Sequence, residues 1–144
     1  MKENHPDHVP EIQKTTVFDA PIQKVWEAVS TAEGIASWFM PNDFQPEPGY
    51  EFHIQSQFGP SPCKVLELDP PHRLSFAWDE FGWVVTFELK EREGKTEFTL
   101  THAGWKPADE ILPKARQKSS VIRNIMDTGW TRLVEESLRK VVEK

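Results

Sequence analysis

The stretch RLSFAWDEFGWVVTFEL, residues 73–89, alternates twice over. Leu74, Phe76 and Trp78 fall on one side of an extended chain, with Arg73, Ser75 and Ala77 on the other, as the two-residue period of a strand requires. After a turn, Trp83, Val85, Phe87 and Leu89 repeat the arrangement against Val84, Thr86 and Glu88. Two neighbouring strands therefore present one face of large rings. Such a face either fills a core or lines a hollow.

The β pattern extends outward from this stretch, over residues 43–103. Upstream, Tyr50, Phe52 and Ile54 share a face opposite Glu51, His53 and Gln55. FGPSP (58–62) reads as a turn, CKVLELD (63–69) as a strand and Pro70-Pro71 as another turn. Downstream, a hairpin at Glu93-Gly94 leads into TEFTLTHAGW (96–105), with Phe98, Leu100 and His102 on one face. An earlier strand is expected over 11–18, where Ile12, Lys14, Thr16 and Phe18 alternate with Gln13, Thr15 and Val17. Between it and the sheet lie two short helices. Asp19 or Ala20 caps the first, Pro21 occupies its first turn, and Ile22, Val25, Trp26 and Val29 form its buried stripe. Thr31 caps the second, with Glu33 in its first turn, and Pro41-Asn42 stops it.

Residues 106–120, holding Pro107 and Pro113, read as a connecting loop or a broken short helix. The longest helical pattern follows. Ser119 or Ser120 caps it, and Ile122, Met126, Trp130, Leu133, Ser137 and Val141 make one stripe, with Ile125, Val134 and Leu138 beside it. Gly129 inside this helix costs about 1 kcal/mol relative to Ala, which implies close approach of a strand or a ligand. The order is thus one strand, two helices, six strands joined by short turns, and a helix of about 24 residues, ~36 Å long. The expected class is α+β. A curved antiparallel sheet wraps round the long C-terminal α-helix, the one element able to cover its concave face. Residues 1–10 are expected to be a flexible lead-in and 11–144 a single domain.

Composition narrows the function. The chain has 144 residues, 38% hydrophobic, with six Trp and nine Phe carrying much of that share. Each buried ring covers roughly 150–250 Å², and such rings suit the walls of apolar pockets. A formal charge of −6 and a pI near 5.4, with no run of basic residues, exclude a nucleic-acid partner and an anionic membrane surface. No stretch is apolar enough for an integral membrane segment. The single Cys63 and the polar, proline-broken start point to a cytoplasmic protein. No metal or cofactor is expected, His5 and His8 being interrupted by Pro6 and lacking further ligands.

The candidate site is the ring face itself. Phe52, Phe76, Trp78, Trp83, Val85, Phe87 and His102 from the strands, with Met126, Trp130 and Leu133 from the helix, are expected to enclose one cavity. A drug-sized pocket would be on the order of 300–1,000 Å³. Trp38 and Phe39 form either a core plug or the entrance side of that cavity. His102 is either a core histidine bonded to a neighbouring carbonyl or a polar anchor for a ligand hydroxyl or carbonyl. No catalytic residue is assigned: Cys63 has no flanking motif, and Glu51, His53 and Asp79 read as solvated, with Arg73 and Glu88 on the outer face.

The segments FDAPIQKVWEAVSTAEGIASWFMP, EPGYEF, VLELDPPHRLSFAW, VTFEL, LTHAGW and GWTRLVEESL, in this order from about Ile12 to Val142, carry a resemblance. The chain resembles the homologues of the activator of a heat-shock-protein ATPase, a family of the START-like (SRPBCC) helix-grip superfamily. That resemblance implies a helix-grip fold with a cavity between sheet and helix, and binding of an apolar small molecule, aromatic or polyketide-like, or a lipid. It offers two alternatives: a stress-related or co-chaperone-like protein partner, and a cyclase- or hydrolase-like enzyme using the same pocket. Chaperone stimulation by the eukaryotic namesake uses a separate N-terminal docking domain, for which this chain is expected to have no room. A chaperone or a second copy of the chain stands as the candidate protein partner. SPCKV departs from the family pattern, which often has a glycine there; Pro62 and Cys63 are expected to reshape the strand edge and the cavity mouth.

Overall fold

Alternating apolar and polar residues build a six-stranded antiparallel sheet in the computed structural model, which describes residues 9–56, 59–78, 82–112 and 116–143. His5, His8, Asp79 and Pro113 lie outside the described residues. The elements run β1 (Ile12–Phe18), α1 (Ile22–Val29), α2 (Ala32–Trp38), β2 (Glu51–Ser56), β3 (Gly59–Asp69), β4 (Arg73–Trp78), β5 (Trp83–Arg92) and β6 (Lys95–Ala103). A two-residue pair, β7 (Ile111–Leu112) and β8 (Gln117–Lys118), precedes the C-terminal helix. That helix comprises α3 (Ser119–Arg132), a π-helical segment (Leu133–Leu138) and α4 (Arg139–Val142), 24 residues in all. No helix among the described residues is long and apolar enough to cross a membrane.

The sheet order is β1-β6-β5-β4-β3-β2. Five strands of this sheet, not six, follow the helix pair. The sixth strand of the sheet is β1, which pairs with the last strand in a register running from Ile12↔His102 to Phe18↔Thr96. FGPSP is not wholly a turn either, since Gly59–Pro62 already belong to β3, with Pro60 opposite Gln55 and Pro62 opposite His53. Among the described residues the last pair between β3 and β4 is Cys63↔Trp78. Pro62 and Cys63 thus lengthen the strand. A bulge between Val65 and Glu67 leaves Leu66 exposed.

The region 106–120 is neither a loop throughout nor a broken helix, because β7 and β8 pair within it (Ile111↔Lys118, Leu112↔Gln117). Ser119 does not cap α3. Its hydroxyl donates to the Lys106 carbonyl at 2.8 Å, tying the helix start to the loop after β6. α1 likewise starts without a side-chain cap: Pro21 is the N-cap, and neither Asp19 nor Ala20 takes that part. Thr31 does cap α2, its hydroxyl accepting from Gly34 N–H at 2.9 Å.

The C-terminal helix buries a different stripe from the one a uniform α-helix gives. Ile122, Trp130, Val134, Leu138 and Val142 are buried, with Met126 half-buried among them, a repeat of every fourth residue. In an α-helix each residue turns about 100°, so a step of four overshoots a full turn by about 40°, and such a row would drift to the far side of the helix. The wider turns of the π-helical segment unwind that drift and hold Val134, Leu138 and Val142 against the sheet. Ser137 and Val141, expected on the main stripe, are only half-buried, and Ile125 is exposed. Gly129 also differs from expectation: a Cβ there would meet nothing within 4 Å, so no strand presses on its backbone.

Both outer strands of the sheet engage other parts of the chain. Arg123 donates to the carbonyls of Pro10 and Glu11, just before β1, and Arg139 to that of Val17, near its end, at 3.2 Å. On β2, the segment before the strand returns: Gln55 N–H donates to Pro41 O at 2.8 Å, Asp43 N–H to His53 O at 3.2 Å, and Asn42 bridges Ile54.

Candidate functional site

The inward residues of the strands form two rows of rings. One is a phenylalanine row crossing the sheet: Phe44 meets Phe52 (5.2 Å between centroids), Phe52 meets Phe76 (5.6 Å), Phe76 meets Phe87 (5.9 Å), and Phe87 meets Phe98 (5.7 Å). Phe98 then meets Phe18 of β1 at 5.6 Å. The other row lies toward the β4–β5 turn, where Trp78 pairs with Trp83 and Val85 with His102. The chain turns back there at close quarters: a Cβ on Gly104 (φ +86°) would lie 2.1 Å from the Gly82 carbonyl oxygen. Only glycine allows that approach and that φ. The contact brings Trp105 back against His102.

His102 is fully buried among indoles. Its ring centroid lies 4.5 Å from Trp105, 4.9 Å from Trp83, 5.6 Å from Trp78 and 6.1 Å from Trp130. Trp105 N–H donates to the His102 carbonyl at 3.0 Å, and Trp130 Nε1–H donates to His102 Nδ1 at 3.0 Å. The expected carbonyl partner for the imidazole is therefore replaced by an indole of α3. An indole can only donate, so Nδ1 is the unprotonated nitrogen and the neutral ring carries its proton on Nε2. Burial pushes the His102 pKa down to about 3, and the charge of Arg123 pushes the same way. His102 Nε2 and Trp78 Nε1 are both buried without a hydrogen-bond partner among the described residues.

Every expected lining residue reaches the interior. Phe52, Phe76, Trp78, Trp83, Val85, Phe87, His102, Trp130 and Trp38 are buried, while Phe39, Met126 and Leu133 are half-buried and pack on the same core. Trp38 is the plug, its Nε1–H donating to the Ala28 carbonyl at 2.8 Å. Phe39 spans the two sides, 5.6 Å from Trp78 of the sheet and 5.1 Å from Trp130 of the helix. Met126 and Leu133 stand one turn either side of Trp130. The edge of the site is thus apolar and half-buried. Trp105 was not among the expected residues; the glycine before it in HAGW, which permits the reversal, is the signal that marks it.

Glu51 and His53 line a groove of about 270 Å³ together with Phe52, Pro62, Cys63, Lys64 and Ala77, on the β2–β4 side of the sheet and away from His102. Cys63 there is buried, its thiol donating to the Ser61 carbonyl at 3.5 Å. The backbone N–H of His53 holds the Asp43 carboxyl below the ordinary carboxylate range. No group of three or more His, Cys, Asp or Glu among the described residues is placed to hold a metal ion.

Comparison with known proteins places this architecture. The family model described as Activator of Hsp90 ATPase homolog 1-like protein matches residues 19–143. No curated protein matches the chain. Among solved structures, the Bacillus halodurans protein BH1534, a solution structure, is similar at 55% identity and a TM-score of 0.88, over 94% of this chain and 98% of its own. The Mesorhizobium loti protein MLL2253 is similar at 26% identity and a TM-score of 0.75, over 92% and 96%. The Aha1 dimer from Colwellia psychrerythraea shares the fold at 18% identity and a TM-score of 0.77, over 94% and 97%.

Proposed function

The chain belongs to the family of Activator of Hsp90 ATPase homolog 1-like proteins, and from that premise we propose that it binds an apolar small molecule or lipid between the sheet and the C-terminal helix. The observation that carries this reading is the half-buried apolar rim of Phe39, Met126 and Leu133 around the buried Trp130. These three side chains leave apolar surface together at the edge of the core, next to the indoles, as the wall of an apolar pocket does. Phe39 is the ring that gives way, since it is half-buried where it bridges Trp78 and Trp130 from outside both elements.

The proposed activity is binding without turnover. His102, a basic side chain of the interior, is held neutral, and its lone-pair nitrogen is engaged by Trp130, so it is not free to take a proton from a substrate. A cytoplasmic setting and the lone buried thiol of Cys63 accord with this role.

Thermal denaturation tests it, with a panel of flavonoid-like compounds, fatty acids and sterols and with Trp fluorescence as a second signal. A ligand at 100 times its Kd stabilises the folded state by about 2.7 kcal/mol, a rise of several degrees in Tm. Trp83→Ala should weaken binding and Glu91→Ala, on the exposed end of β5, should not. If no compound moves either signal while the fold is intact, the rings are a closed core and the reading fails.

A further inference from the structure

One face of the C-terminal helix carries apolar surface that the fold does not cover. Among the described residues, the exposed apolar side chains of Val17 and Leu66 lie on separate strands, whereas Ile111, Val121 and Ile125 gather at the start of this helix. Val121 and Ile125 are one turn apart on α3, and Ile125 is 60% exposed. The next turn of the same stripe is Gly129, where an added Cβ would meet nothing within 4 Å. Glycine weakens a helix, and among the described residues no close approach within the chain accounts for it. The stripe is therefore a projecting isoleucine followed by a notch. Charges bound it at both ends. Lys118, at the head of α3, lies 3.7 Å from Asp109, and both are exposed. Arg132 and Glu136, one turn apart toward the other end, are exposed as well.

We propose that this stripe is the contact between two copies of the chain, their C-terminal helices packed antiparallel about a two-fold axis so that Ile125 of each seats over Gly129 of the other. The stripe is complementary to itself in that direction. With Ile125 against Gly129, the same register sets Val121 against Leu133 and Lys118 against Glu136, because the members of each pair are equally far from the axis. Asp109, beside Lys118, then falls next to Arg132, one turn before Glu136. Each contact occurs twice, since a two-fold interface uses the same patch on both partners. A parallel pair would instead oppose Lys118 to Lys118 and Glu136 to Glu136, and would leave the notch at Gly129 facing another notch. Antiparallel alignment also places the positive start of each helix beside the negative end of the other. The occupant is a second copy because one stripe supplies both projection and notch, and both cation and anion. A contact between two helices falls in the smallest class of interface, below about 1,200 Å², so the association is weak and depends on concentration.

Sedimentation velocity of the full chain, from about 10 to 500 µM, should show a monomer–dimer equilibrium, as expected for an interface of this class. Ile125→Glu should weaken association about tenfold and leave the Tm of the dilute protein within about 2 °C, since the side chain is exposed. Gly129→Leu fills the notch. It should weaken association as much while raising the Tm by a few degrees, because leucine is the better helix former. Damage to the fold would move both readings the same way. Lys118→Glu and Glu136→Lys should each reduce self-association severalfold, and an equimolar mixture of the two variants should regain it, since the mixed pair has opposite charges at both ends. A monomer at every concentration overturns the proposal, and the stripe then serves some other molecule. A dimer indifferent to Ile125→Glu and Gly129→Leu overturns the choice of surface. Growth beyond the dimer overturns the two-fold arrangement, and a mixture no tighter than its components overturns the register.

Discussion

The phenylalanine row and the tryptophan–histidine box meet at similar distances but answer to different physics. From Phe44 to Phe18 the row runs at 5.2–5.9 Å between centroids and contains no polar atom. Its stability is a matter of volume and contact alone. The box around His102 packs at 4.5–6.1 Å and yet carries an imidazole and several indole N–H groups, each of which needs an answer. Ring contacts cannot tell the two apart. Hydrogen bonds can: the box carries polar atoms that need partners, and the row does not.

The strongest test of this contrast lies in the row. Phe87 contacts Trp38, Phe76 and Phe98, and Phe87→Ala should cost about 3–5 kcal/mol by urea denaturation, with the same loss at pH 7 and pH 5. A loss under 1 kcal/mol would mean the row is loosely packed.

The box should respond to pH instead. The folded His102 pKa of about 3 lies below the ordinary value of 6.5, so the unfolded chain takes up the proton first. The stability associated with the neutral ring is fully present above pH 6.5 and declines as pH falls through the window toward 3, by about 2 kcal/mol at pH 5. His102→Phe should flatten the profile between pH 7 and pH 5. An unchanged slope in that variant would place the titration elsewhere.

The smallest effect separates ring from donor within one residue. Trp130→Phe keeps most of the ring but removes the N–H on His102 Nδ1, and should cost about 1 kcal/mol beyond its volume change. Nitrogen NMR of the imidazole should show the proton no longer confined to Nε2. If the Nε2–H form persists alone, something other than Trp130 sets the tautomer.

Much of this was legible in the sequence, and the misses share a cause. Alternation in β4, β5 and β6 put Phe76, Trp78, Trp83, Phe87 and His102 inside, because a two-residue period leaves a strand only two faces. The C-terminal helix was harder. Its stripe was read at the α-helical period, whereas Trp130, Val134, Leu138 and Val142 follow a period of four that only a π-helical segment keeps on one side. The pairing of β1 with β6, the β7–β8 pair and the return of Trp105 all depend on contacts between distant segments or on a glycine turn, which local pattern does not encode. The same holds for the partner of His102: its direction could be read from β6, but the indole that binds it comes from another element.

An open sheet of six strands has two ends, and both are stoppered. Arg123 and Arg139 occupy backbone acceptors just before β1 and near its end, while Pro41, Asn42 and Asp43 lie along β2. Among the described residues, part of each end is thus withheld from a strand of another molecule, one of the ways native sheets blunt their edges. It also dictates how two copies of the chain would associate: through side chains on the faces of the helices or sheet, and not by joining their sheets edge to edge.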